Sequence, residues 1–257
     1  MKLTVLVDNN TFIDEYYLAE PALSFYIECD NKKILFDVGY SDVFLKNAEK
    51  MGIDLNLCDY VVLSHGHNDH TGGLQYFNGE CPIIAHPSCF HKKYVDDLYI
   101  GCPVAIADFK GSIKSIQLTE HLVYLGQIPR VTDFENTSLL GYECIDNEKK
   151  DDYLLDDTAL VYQSDDGLFV ITGCSHSGIC NIIEYAKKVC NDNRIVGVIG
   201  GMHLFDVNDN TNKTIQYLND CNILDVYPCH CVSLKVKAKM MQTMNVHEVG
   251  VGLQIIK

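Results

Sequence analysis

Asp59-Tyr60-Val61-Val62-Leu63-Ser64-His65-Gly66-His67-Asn68-Asp69-His70 is the stretch that decides how this chain is read. Its first half is a short apolar run of the kind that forms a buried strand. Its second half delivers three histidines and an aspartate directly into a loop, a density that packing alone does not explain. Imidazole and carboxylate are the ligands expected of Zn²⁺, at roughly 2.0–2.2 Å. In an extended loop residues two apart point the same way, so His65 and His67 can share one ion. Asp69 and His70, after the chain turns, can reach a second. Such ion pairs sit roughly 3.5–4 Å apart and lower the pKa of water to about 7, which makes a nucleophile at neutral pH.

Working outward, residues 3–7 and 23–29 read as strands, Lys32-Lys33 as a turn and Ile34-Leu35-Phe36 as a short buried strand ending at Asp37. Ser41 reads as the N-cap of a helix running to about Met51, with Gly52 as its stop. Pro82 to His86 is a further strand. Residues 87–157 look the least regular, with strand candidates at 112–118 and 121–125, and suggest a lid or an interface. Glu148-Lys149-Lys150-Asp151-Asp152 reads as a solvated turn. Beyond it, 159–163 and 168–172 form a hairpin around Asp166-Gly167. Helices near 178–190, 211–220 and 233–244 then alternate with strands at 195–199, 224–227 and 246–256. Strands first, then alternating helix and strand, in both halves, predict an α/β (α+β) protein. The expected architecture is one domain, a four-layer αββα sandwich of two mixed sheets.

Six of the ten histidines fall just after expected strands: His65, His67, His70, His176, His203 and His230. Strand ends are where sites collect. His176 and His230 are expected to complete the two coordination shells. His203 fits a ligand, a proton donor or a substrate contact. Cys174, Cys229 and Cys231 are soft donors, more simply read as buried residues supporting the ligands. Asp37 fits either a partner that fixes the tautomer of a ligand histidine or a turn-stabilising aspartate. His86, His91, His121 and His247 are read as ordinary hydrogen-bonded residues.

The composition bounds the rest. With 257 residues and 47% hydrophobic content the chain can bury a full core. A net charge of −15 argues against nucleic-acid binding. No run of roughly 18 apolar residues is present, so no membrane span is expected. The twelve cysteines lie dispersed, without a CxxC pair or a secretory leader, which suggests thiols in a reducing cytoplasm.

Ser64 to Gly73 resembles the HxHxDH signature of the metallo-β-lactamase superfamily. Gly126–Arg130, Thr172–Ile179, Gly200–Leu204 and Pro228–Cys231 resemble one branch of it, labelled 7,8-dihydropterin-6-methyl-4-(β-D-ribofuranosyl)-aminobenzene-5′-phosphate synthase-like. The resemblance implies two divalent cations, zinc foremost with manganese or iron as alternatives, and a metal-dependent hydrolase or transferase. Related oxygen-reducing enzymes carry a carboxylate where His67 stands, which favours zinc over iron. The sequence departs from the superfamily where a bridging aspartate is usual; Cys174 stands there. Asp69 and His203 are the expected catalytic groups, the latter as proton donor. Arg130 is expected to hold a phosphate or carboxylate, or to form a surface ion pair. Ser177 and Gly178 are expected to offer backbone N–H groups to an anion at a helix start. Three functions compete: hydrolysis or transfer on a small phosphorylated or carboxylated metabolite, pterin–ribosylaminobenzene phosphate synthesis, and a non-catalytic metal or ligand sensor. A homodimer is compatible with all three.

Overall fold

The computed structural model describes residues 1–135 and 139–257. The chain is organised in two compact units. The first holds Met1–Ile113, the segment ending at Asp156, and Gly250–Lys257; the second holds Asp157–Val249 and the segment beginning at Lys114.

The first unit is built on a seven-stranded mixed sheet, in the order Gln254–Ile256, Lys2–Val7, Ser24–Cys29, Lys32–Phe36, Tyr60–Val62, Ile83–Ala85, Lys110–Gly111. Pairing is antiparallel up to Lys32–Phe36 and parallel beyond it. The turn before Lys32–Phe36 falls on Asp30-Asn31, both at positive φ. Lys32-Lys33 therefore opens the strand instead of forming the turn, because aspartate and asparagine tolerate the left-handed backbone a two-residue hairpin needs. The helix Val43–Lys50 has Asp42 at its N-cap position without a side-chain cap; the Ser41 hydroxyl accepts the Val43 N–H at 3.3 Å, and the helix stops before Gly52 at φ +72°. It buries Phe44, Asn47 and Ala48, in a core with Leu6, Leu35, Val38, Val61 and Leu63.

Residues 87–157 are more regular than their sequence suggests. Glu148–Asp151, Tyr142–Ile145, Lys92–Val95 and Leu98–Tyr99 form a four-stranded antiparallel sheet in the first unit. The charged run 148–151 is an exposed edge strand, not a turn. The turn lies just before it at Asp146-Asn147, again at positive φ. An edge strand of mixed charge does not read as a strand because nothing in it is buried.

The second unit carries a six-stranded mixed sheet: Asp225–Pro228, Ile195–Gly200, Gly167–Thr172, Ala159–Ser164, Leu122–Tyr124, Ile116–Gln117. The first three run parallel and the rest antiparallel. The hairpin turn is Asp165-Asp166, with Gly167 already paired to Ser164. Helices Ile179–Cys190, Asp209–Asp220 and Leu234–Met240 cover the sheet. Ile179, Ile182, Ile183, Ile215, Leu218, Val236 and Met240 pack with Val161, Val170, Val198 and Val226. Asn208 and Ser233 cap the second and third helices through their side-chain oxygens. Gly167–Thr172 and Ile195–Gly200 are buried at every position, which explains their unbroken apolar sequence. Among the described residues no helix is long and apolar enough to cross a membrane.

Candidate metal centre

In the first unit, the strands Lys32–Phe36 and Tyr60–Val62 run side by side and end together. Asp37 leaves the first and Ser64 the second. Asp37 is fully buried, at φ +57°. Its Oδ1 accepts the Ser64 N–H at 2.7 Å, and its Oδ2 accepts the Ser64 hydroxyl at 2.7 Å and His70 Nδ1–H at 2.6 Å. A carboxylate only accepts, so the single Ser64 hydroxyl proton is committed to Asp37. Ser64 Oγ therefore accepts from His65 Nδ1–H at 2.9 Å. In the neutral ring this leaves Nε2 of both His65 and His70 bare, the ligating tautomer.

The donor atoms converge. His65 Nε2 lies 3.0 Å from His67 Nδ1, and His70 Nε2 lies 3.7 Å from Asp69 Oδ2. His65, His67 and Asp69 bring three donor atoms within 4.8 Å of one another. Two nitrogens on one tetrahedral zinc ion would stand about 3.3 Å apart. Burial lowers the His67 imidazole to about 4, so it is neutral near pH 7, the form that binds a cation. A neutral imidazole at His67 and hydrogen-bonded rings at His65 and His70, beside a carboxylate, fit a divalent cation.

Sequence reading missed what braces this loop. Asp156 Oδ2 accepts the Gly66 N–H at 2.8 Å, between the two histidines. Lys93 Nζ binds Asp156 Oδ1 at 3.1 Å and Asp152 Oδ2 at 2.9 Å, all three side chains at most 2% exposed. Asp156 stays ionised because Lys93 outweighs its burial, and Lys93 is held above the ordinary lysine range by the two carboxylates. The Asn68 N–H binds Ile100 O at 2.8 Å. Gly66 is required by space: a Cβ there would stand 2.0 Å from the Cys89 carbonyl oxygen. Asp152 and Asp156 belong to a stretch whose acidity suggests only solvent, and no local signal distinguishes them.

In the second unit three neighbouring parallel strands end together, and each is followed by a site segment: Gly173–Gly178, Gly201–Leu204 and Cys229–Cys231. Ser175, His203 and His230 all adopt left-handed φ, at +58°, +50° and +49°. Such backbone costs about 1–2 kcal/mol per residue and gathers at functional sites. Cys174, His203 and Cys231 bring donor atoms within 4.8 Å of one another. The His203 N–H donates to Cys231 Sγ at 3.2 Å. The His176 and His203 rings stand 4.4 Å apart. Burial alone would raise the Cys231 thiol, but hydrogen bonds with Cys174 and His203 and the neighbouring His230 hold it well below the usual range. A cavity of about 30 Å³, room for about one water, is lined by Ser175, His176, His203 and Asn210.

The anion role expected of Ser177 and Gly178 does not survive. Ser177 N–H donates to Asp157 Oδ2 at 2.8 Å and Gly178 N–H to Ser175 O at 2.9 Å. The next turn is closed by Glu135, whose carboxylate accepts from Cys180 N and Asn181 N, both at 2.8 Å. The helix start is thus neutralised from within the unit. Gly178, at φ +93°, makes room for this: a Cβ would sit 2.2 Å from Glu135 Oε2. Arg130 is half-buried in the same unit.

Comparison with known proteins agrees with the geometry. The profile of the metallo-β-lactamase superfamily matches residues 18–189. An uncharacterized protein of Methanocaldococcus jannaschii is 34% identical, covering 95% of each chain. The 7,8-dihydropterin-6-methyl-4-(β-D-ribofuranosyl)-aminobenzene-5′-phosphate synthase of that organism is 28% identical over 94% of this chain and 91% of its own. A crystal structure described as Tm1679, a metal-dependent hydrolase of the β-lactamase superfamily, superposes with a TM-score of 0.87 at 30% identity. It covers 100% of this chain and 99% of its own. With the histidine loop and the two mixed sheets, these place the chain in the metallo-β-lactamase superfamily.

Proposed function

We propose that the chain is a metal-dependent hydrolase or transferase that binds two divalent cations, zinc foremost, and acts on a small phosphorylated or carboxylated metabolite. The observation that carries this is the Asp37–Ser64 relay, which fixes His65 and His70 with their Nε2 atoms deprotonated. His65, His67, Asp69 and His70 are the donors of the first unit. In the second unit the sequence pattern points to His176 and His230. Bound cations supply Lewis acidity, polarising a carbonyl or phosphoryl oxygen and acidifying water. Asp37 and Ser64 keep the imidazoles oriented, and Lys93 with Asp156 holds the Gly66 peptide between them. Asp69, the least buried of the loop's donors at 30% side-chain exposure, takes the proton of the attacking water. Arg130 offers a planar fork to an anionic substrate group.

Turnover on a panel of esters, thioesters and phosphodiesters tests the reading. H67A and D69A are expected to lose activity and metal together; full activity in a metal-free variant contradicts it. The 28% identical synthase supports a second reading, in which a pterin diphosphate and a ribofuranosylaminobenzene phosphate are joined with release of pyrophosphate. Metal-loaded protein that releases no pyrophosphate from those two substrates rules that reading out. Tight retention of a small ligand through purification, without turnover on either test, would identify a sensor instead.

A further inference from the structure

We propose that a cation bound by the second unit is held through sulfur, by Cys174 and Cys231, with a ring nitrogen of His203 as the third donor. The inference rests on the reading of this chain as a metal protein and adds the chemical class of the metal.

The three donors come from the ends of three adjacent parallel strands. Both Sγ atoms and a His203 ring nitrogen lie within 4.8 Å of one another. On one tetrahedral zinc ion, two sulfurs at about 2.3 Å would stand about 3.8 Å apart. The backbone is shaped for this approach. A Cβ at Gly201 would lie 2.5 Å from Cys231 Sγ and 2.6 Å from the Gly173 carbonyl oxygen, so only glycine lets these segments close. The left-handed turn at His203 aims its own N–H at Cys231 Sγ, 3.2 Å away. Cys229, two residues earlier and fully buried, stands outside the donor group.

Sulfur donors favour zinc, cobalt and cadmium over magnesium, calcium and manganese, which prefer oxygen. Binding transfers no electrons. Each thiol gives its proton to solvent as its sulfur takes the cation.

The test is titration of the metal-free protein with Co²⁺, read by absorption. A near-ultraviolet sulfur-to-cobalt charge-transfer band is expected beside the visible d–d bands. Each thiolate contributes to it, so C231S should lower it by about half and the C174S/C231S double variant should abolish it. C229S should keep it, and excess Mn²⁺ or Mg²⁺ should not displace it. Cobalt bound with d–d bands alone overturns the proposal while leaving the metal-protein reading standing. No cobalt uptake at all overturns both. A second readout uses the wild-type protein: Cd²⁺ should protect Cys174 and Cys231 from alkylation, mapped by mass spectrometry. Equal labelling of both with and without Cd²⁺ overturns the proposal without relying on a variant that folds.

Discussion

Replacing Lys93 by methionine removes the cation that lets two aspartates stay buried and charged beneath the histidine loop. Lys93 Nζ lies 2.9 Å from Asp152 and 3.1 Å from Asp156, and the three side chains are 1%, 2% and 0% exposed. Breaking a buried ion pair by deleting one partner costs about 3–5 kcal/mol, because the other charge remains uncompensated. For a chain of this size that corresponds to a fall in Tm of roughly 6–20 °C. The loss should depend on pH with a definite sign. In the wild type Asp156 is held below the ordinary carboxylate range, so its contribution is present near neutrality and lost only as strong acid protonates it. In K93M the stranded carboxylates have raised folded values, so the variant gains stability as pH falls and they take up protons. The gap between K93M and wild type therefore narrows towards pH 5. Urea unfolding at pH 7.5 and pH 5 reads both effects, and chelator competition reads a drop in zinc affinity of roughly 10–100-fold through the loosened Gly66 peptide. A K93M protein within about 0.5 kcal/mol of wild type at pH 7.5 would refute the reasoning.

Four further outcomes follow from the same geometry. D37N presents an amide where His70 and Ser64 need an acceptor; zinc affinity should fall roughly 10–100-fold, by chelator competition, with stability less affected. G66A forces a Cβ to within 2.0 Å of the Cys89 carbonyl, so the loop must shift; bound metal measured by elemental analysis should fall below half of the wild-type value. Because His67 titrates at about 4 in the folded metal-free protein against 6.5 normally, the unfolded chain binds the extra proton between those values. Stability of the metal-free protein should decline as pH drops from 6.5 towards 4, and H67Q should flatten that limb in urea titrations. Burial raises Glu135, so its ionised form is disfavoured and stability falls as pH rises through its titration, then levels. E135A should nonetheless cost about 1–2 kcal/mol at pH 7 by exposing the Cys180 and Asn181 N–H groups, measured by thermal unfolding.

The histidine loop was legible because its density of donors has no packing explanation and because the strand before it is plainly apolar. Two of the three parallel strands of the second unit, Gly167–Thr172 and Ile195–Gly200, were legible for the same reason: both are apolar runs buried at every position. What escaped the sequence was charge acting at a distance. Asp152 and Asp156 sit in an acidic stretch that looks solvated, yet both fold against Lys93, some sixty residues away. Glu135 likewise caps a helix 45 residues further on. That pairing also explains why Ser177 and Gly178 misled: a helix start offers N–H groups, and whether the protein itself supplies the anion is a tertiary question. The exposed strand Glu148–Asp151 was missed because its hydrogen bonds, and not its side chains, hold it in place.

The most direct test of the account is elemental analysis of the protein purified without added metal, beside D69A and H67A. The account predicts close to two equivalents of divalent cation per chain, zinc predominating, and clear losses in both variants. A wild-type protein with negligible metal, unable to take up Zn²⁺ or Co²⁺ on dialysis, would contradict it.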